Sequence, residues 1–523
     1  MTRHPASLPL AAAFIVMFRT WEGAATVLLM VLKRKSAWIG LDLGTQSVRA
    51  MVVSGAGETL AVGSHQLTSH RDGPRHEQDP EEWWRATAAA CRGALTALAA
   101  GVTIEGVAVD GTSGTILLVD GDGRPLTPGL MYDDSRAVEE ARRVNEAGAA
   151  VWATLGYNRM QVSWGLPKLL WLLDQQRRLA TGTCLAHQTD FINRRLVGSE
   201  VATDTSNALK TGVDLINERW PDKVFAALGV PGEILPAVVR AGTSLGVVSA
   251  QAAMETGIPK NTAVIAGMTD GCAAQMGAGA LSVGGWNSVL GTTLVLKGVT
   301  SELIKDPTGV VYSHRSPDGN WLPGGASSSG AGAVSKYFAG RDLEALEKRA
   351  AGREPASIVT YPLHGLGERF PFIAPGAEGF TLGQAVDEID QYAALLQGVA
   401  FIERLCFDYL DMLGAPISGP VVLTGGGAKS RYWCQLRADV LGRPVTLPEN
   451  AEAALGMAVL AATAGRKVAD VAADMVRIHE VIDPRPDHIG RFRESYLRLI
   501  DELARRGWVR MAVAQHAHRR AAL

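Results

Sequence analysis

Asp42-Leu43-Gly44-Thr45-Gln46-Ser47 places a carboxylate beside a turn suited to phosphate. The turn joins two β-like runs, residues 37–41 and 48–53. Gly44 permits positive φ and a close backbone approach. Thr45, Gln46 and Ser47 add hydroxyl and amide groups beside exposed backbone N–H groups, a cradle for phosphate oxygens. Asp42 can hold a hydrated Mg2+, which binds such sites through one or two carboxylates, substrate phosphates and retained waters. Alone the pattern is weak, because most Asp-x-Gly-Thr turns are only turns.

Three later features line up with it. A hydrophobic run, residues 263–266, delivers Asp270 between Gly267 and Gly271. Gly291-Thr292-Thr293 interrupts two further β-like runs in the manner of the first turn. Gly425-Gly426-Gly427 follows a strand and precedes a helix, so backbone can lie against a flat ring while the helix start favours anions. Each has a plainer reading, as a cap or a tight connection. Four in this order are harder to dismiss.

The elements that must position them read as α/β. Three short strands (the third over residues 59–67) lead into a polar loop at 70–80. Asp79 and Pro80 are a natural N-cap and first residue of a helix through Trp83, Trp84 and Cys91. A buried strand over 104–110 and another over 116–119 follow, the latter closed by Asp120-Gly121-Asp122-Gly123. The second half repeats strand, Gly-Thr turn, strand, so two such turns can face one another across a cleft and grip a polyphosphate. The boundary is expected near Ala280. Tryptophans at 83, 84, 164, 171 and 433 read as core.

The 523 residues include 47% apolar and 20% charged residues, ordinary for a globular protein. The formal net charge of −2 gives no general attraction to nucleic acid or anionic membrane. Five scattered cysteines read as reduced thiols of a cytoplasmic protein. Residues 1–36 are set apart as an extension outside the fold; a membrane-interacting segment or a cleaved leader are the alternatives for the apolar run 8–18. Residues 511–523 are set apart as a C-terminal tail, its end from His516 to Leu523 read as basic and frayed.

The chain resembles the FGGY family of carbohydrate kinases, within the actin-like (ribonuclease H-like) ATPase superfamily. The resemblance is carried by Glu77-Gln78-Asp79-Pro80-Glu81-Glu82-Trp83-Trp84, Lys168 to Gln175, Thr205-Ser206-Asn207-Ala208 with Thr211-Gly212, Gly425 to Ser430 with Ala438 to Pro444, and Glu452 to Gly456. It implies two actin-like domains, 37–280 for sugar and phosphate and 281–510 for nucleotide, with an active-site cleft between them. It implies ATP and Mg2+ as cofactors and a small-molecule sugar as partner; a homodimer is one assembly the sequence allows. Asp270 becomes the general base, Asp42 the metal residue, and Gly44, Thr45 and Gln46 surround the transferring phosphate. Thr292 holds nucleotide phosphates and Gly425, Gly426 and Gly427 back the adenosine. Gly325, within Gly324-Gly325-Ala326-Ser327-Ser328-Ser329-Gly330, is a further nucleotide candidate, with a serine-capped helix start as the alternative.

For the sugar, Ser113 and Gly114 occupy a strand-end position that varies with substrate in the family. Tyr132 and Asp134 follow, Tyr132 as an apolar face and Asp134 as an acceptor for hydroxyls. Together they resemble the D-ribulose kinases of plants and cyanobacteria, so a ketopentose is expected, ribulose ahead of xylulose. The competing readings are a kinase for another polyol or ketose, and a non-catalytic sugar sensor. Gly165 and the segment near Asp390 depart from the family's signatures, marking a divergent branch.

Overall fold

The structure, a computed structural model, describes residues 35–176 and 179–522. The apolar run 8–18 lies outside the described residues, while Lys35 and Ser36, set apart with it, begin the first strand. Strands Lys35–Leu43, Ser47–Ser54 and Thr59–Gln66 form an antiparallel meander. Val102–Gly111 adds to the free edge of the first strand in parallel, and Ala263–Ile265 adds in parallel to that. Ser244–Val247 closes the six-stranded sheet. Helix Pro80–Thr96 covers one face, started by the Asp79 side chain accepting from Glu81 N. Helix Ala453–Ala461 covers the other, and it approaches so closely that a Cβ on Gly40 would lie 1.7 Å from Ala454 O.

The second sheet repeats this plan with seven strands. Trp286–Leu290 and Leu294–Gly298 form the antiparallel hairpin, and Val421–Thr424 adds to Trp286–Leu290 in parallel. The 25-residue helix Glu388–Met412 is buried on almost every side, between this sheet and helices Arg493–Arg505 and Met511–Ala522. Within this layer Arg437 and Glu403, neither exposed, form a two-pronged ion pair with Ser288 Oγ bound to both. Among the described residues no helix is long and apolar enough to cross a membrane.

Three expectations need correction. Residues 511–522 are not a frayed tail: Val513, Ala514, Ala517 and Ala521 form a buried stripe against Glu388–Met412. The polar loop at 70–80 contains a hairpin, His70–Asp72 with Arg75–Gln78, which joins a third sheet with Gly129–Leu130, Ile116–Val119 and Cys184–His187. The boundary near Ala280 is also not a clean division, since helix Ala453–Ala461 returns to the first sheet.

Arg437→Met would strand the buried Glu403 carboxylate and should lower stability by about 3–5 kcal/mol, read from urea unfolding. Adding Glu403→Leu should recover most of the loss; if it does not, the pair is not the source of it.

Candidate active site

Three strand ends bring three carboxylates together. Parallel register sets Asp42 opposite Asp110, and Gly111 bridges Thr269, the residue before Asp270. Asp270 is the first residue of helix Asp270–Ala278. All three lie at the carboxyl ends of parallel strands, where open α/β sheets hold ligands. Burial and the charge of Asp270 push Asp42 up to about 6. Burial, with the charges of Asp42 and Asp270, drives Asp110 well above the carboxylate range, and its buried oxygens have no partner beyond a proton shared with Asp42. Asp270 is raised by burial, opposed by the Gly271 N–H and by Lys210 and Lys297.

Crowded, desolvated carboxylates with orphaned oxygens suit a divalent cation. Among the described residues no three His, Cys, Asp or Glu side chains are placed to ligate one ion together. A hydrated Mg2+ matches that donor set, since it takes one or two carboxylates and fills its remaining positions with water and phosphate. Asp42 is the direct-ligand candidate, and Asp110 is placed to accept from the ion's waters.

Each phosphate-type turn is closed by its glycine N–H, over three residues in the first and two in the second. Gly44 N donates to Ser47 O at 3.1 Å, and Gly291 N donates to Thr293 O at 3.0 Å. Thr45 and Ser47 are partly exposed, and Gln46 and Thr292 fully so. Beside the second turn, Gly425 takes φ +83°, which carries the chain past Leu290 and leaves Gly425 and Gly426 exposed. Gly427 is buried against Leu290, and Ser430 caps helix Arg431–Leu441 by accepting from Trp433 N.

Gly325 belongs elsewhere. It lies in strand Trp321–Ala326, buried, where a Cβ would meet the Phe370 ring at 2.7 Å. The following serines do not cap a helix. Ser327 Oγ, Ser328 N and Ser329 Oγ all donate to the buried Glu368, as does Tyr361 OH.

On the sugar side, Ser113 Oγ is buried with no partner, and its carbonyl accepts from Lys210 Nζ at 3.2 Å. Gly114, at φ +90°, packs on the Lys210 stem. Tyr132 is half-exposed, its phenol pushed up by burial with Asp133 and Asp270 adding to the effect, so it shares the field of Asp270. Asp134 is fully buried and committed to His76 N and to Arg136, which corrects its expected role as a sugar acceptor. Lys168, lowered to about 7 by burial, donates to Met131 O at 2.6 Å and fixes the start of this loop.

Four residues went unread in the sequence. Asp110 looked like a strand end, although Asp110-Gly111-Thr112 repeats the Asp-Gly-Thr chemistry of the first turn. Lys210 lies between Thr205–Ala208 and Thr211-Gly212, where a lone lysine passes for a surface charge. Lys297 is half-buried and reaches from the second sheet to within 3.5 Å of Cys272 Sγ, beside Asp270. His314 is held well below the usual imidazole range by burial and both lysines, and its Nδ1 lies 3.0 Å from Ser206 Oγ, which accepts from Thr269 N.

A raised carboxylate stabilises the fold fully below its unfolded value of 3.8, and that contribution is lost as pH rises through about 6. Asp42→Asn should therefore gain up to about 3 kcal/mol over wild type in metal-free buffer at about pH 7.5 and little near pH 4. Equal effects at both pH values in urea unfolding would contradict the assignment.

Comparison with known proteins gives the family. The N-terminal domain of the FGGY family of carbohydrate kinases matches residues 37–277, and its C-terminal domain matches 237–465. The chain is 31% identical over 438 residues to the xylulose kinase of Streptomyces rubiginosus, covering 81% of this chain and 87% of the relative. It is 32% identical over 443 residues to that of Streptomyces coelicolor, with the same coverages. The crystal structure of xylulose kinase from Rhodospirillum rubrum superposes with a TM-score of 0.80 at 27% identity, over 89% of this chain and 98% of that one. Two duplicated α/β domains of actin-like fold follow from both lines, and the chain belongs to the FGGY carbohydrate kinases as an ATP-dependent sugar kinase.

Proposed function

We propose that this chain transfers the γ-phosphate of Mg2+-bound ATP to a hydroxyl of a ketopentose, D-ribulose ahead of D-xylulose. The observation that carries this is the position of Asp270. It is partly buried at a helix start, flanked by Lys210 from the sugar-side segment and by Lys297 from the strand after the Gly291–Thr293 turn. The relatives named xylulose kinase support a pentulose. Ser113 and Gly114 leave room for the sugar, and the unpartnered Ser113 hydroxyl offers it a hydrogen bond.

Asp270 accepts the proton of the attacking hydroxyl. Burial raises its basicity, while the Gly271 N–H and the two lysines keep its ionised form accessible. Gly44, Thr45, Gln46 and Ser47 hold the transferring phosphate, and Gly291, Thr292 and Thr293 hold the nucleotide phosphates. Gly425, Gly426 and Gly427 lie along the adenosine. Mg2+ held at Asp42 supplies neutralisation of phosphate charge. Tyr132 closes the apolar side of the sugar.

The test is ADP release with Mg2+-ATP against D-ribulose, D-xylulose, L-ribulose, glycerol and erythritol. D-ribulose should give the highest kcat/KM. Asp270→Asn should lower kcat by about 10²–10⁴ and leave nucleotide binding intact. The acid limb of kcat/KM should lie above 3.8, with activity rising as Asp270 ionises. Glycerol or erythritol leading the panel would overturn the ketopentose reading, and silence with ATP bound would favour the sensor.

A further inference from the structure

The strand Arg75–Gln78 runs between the Tyr132–Asp134 loop and the Gly44–Ser47 turn. Its alternate residues His76 and Gln78 share one face, and each is 1% exposed. Gln78 Nε2 donates to Thr45 O at 2.7 Å and to Ser69 Oγ at 2.8 Å, and its Oε1 accepts from Trp83 Nε1 at 2.7 Å. Ser69 Oγ lies 3.0 Å from His76 Nε2. His76 Nδ1 is bonded to Asp133, and the Tyr132 ring meets the imidazole edge-on with centroids 6.4 Å apart. Asp133 also accepts from Arg71 at 2.9 Å.

The polarity of this chain follows from which groups can donate. The Gln78 amide spends both hydrogens, one on Thr45 O and one on Ser69 Oγ. Ser69 then has its own hydrogen to give to His76 Nε2, and with Nε2 accepting, the imidazole hydrogen on Nδ1 goes to Asp133. Each link polarises the next. At the far end the bond falls on the Thr45 carbonyl, which shares a planar trans peptide with Gln46 N–H. Anchoring that oxygen from one side aims the Gln46 N–H to the other, the side open to a phosphate.

We propose that His76, Ser69 and Gln78 are positioning residues that couple sugar engagement at Tyr132 and Asp133 to the grip of the Thr45–Gln46 peptide on the γ-phosphate. This rests on the reading of residues 44–47 as the phosphate turn and of the Tyr132 loop as the sugar wall. A sugar hydroxyl meeting the partly exposed Asp133 competes with His76 for its oxygens, and the reorientation passes along the chain to the turn. Sugar and ATP then bind synergistically, each tightening the other by the same factor.

Calorimetric titration of Mg2+-AMP-PNP and of Mg2+-ADP, each with and without saturating sugar, tests this. The sugar is D-ribulose, or D-xylulose if that is the one phosphorylated; turnover with it checks the kinase reading separately. Wild type should bind AMP-PNP at least about fivefold tighter with sugar present, and ADP, which lacks the γ-phosphate, less than about twofold tighter. Ser69→Ala changes an exposed residue and cuts the chain, so the AMP-PNP gain should vanish while ADP affinity stays as in wild type. Ser69→Thr should restore the gain, and His76→Gln should lose it. A gain that survives in Ser69→Ala, is absent in wild type, or is equal for ADP overturns the relay.

Discussion

Parallel pairing of Lys35–Leu43 with Val102–Gly111 sets Asp42 against Asp110, and the chemistry of the site depends on that register. A slip of one residue would turn one carboxylate to the opposite face of the sheet. The pairing is fixed by burial: Ile39, Leu41 and Leu43 on one strand and Val107, Ala108 and Val109 on the other are almost wholly removed from water. Hydrophobic packing therefore holds two acidic groups closer than they would choose, and Asp270 joins them from the next strand. The repulsion is what makes the strand ends a place for a cation and for the oxyanions that accompany one.

Duplication then supplies the opposing half. The second sheet repeats the hairpin and its parallel neighbour, so Gly291–Thr293 stands to Gly425 as Gly44–Ser47 stands to Gly111. The halves differ where chemistry demands it. The first has carboxylates at its strand ends, whereas the second has Thr424, whose hydroxyl donates to Asn287, followed by glycines. One half suits metal and base; the other suits a ring and phosphates. Helix Ala453–Ala461, packed between the first strand and the helix that begins at Asp270, ties them together.

Local signals in the sequence carried most of this. The Asp79-Pro80 helix start, both Gly-Thr turns and the strand leading to Asp270 all rest on capping or turn chemistry confined to a few residues. Pairings across long stretches of chain were not legible. His76 meets Asp133 and Lys297 meets Cys272 only because strands from different segments are adjacent. Asp134 was read as a sugar ligand from its type alone, and only its burial against Arg136 shows that its oxygens are taken. Gly325 was read as a nucleotide contact because small residues leave room for one, whereas cross-strand pairing with Leu296 makes it sheet. The tail was misread despite an available signal, since its apolar residues follow helical spacing.

The central claim is that both sheets hold one nucleotide and deliver its terminal phosphate to a hydroxyl positioned by Asp270. The most direct measurement is a crystal structure with Mg2+-AMP-PNP and D-ribulose bound together. The account predicts a ribulose hydroxyl within about 2.6–3.2 Å of the Asp270 carboxylate. It also predicts the triphosphate between the Gly44–Ser47 and Gly291–Thr293 turns, with the adenosine along Gly425–Gly427. A sugar seated away from Asp270, or a nucleotide held by one sheet alone, would contradict it.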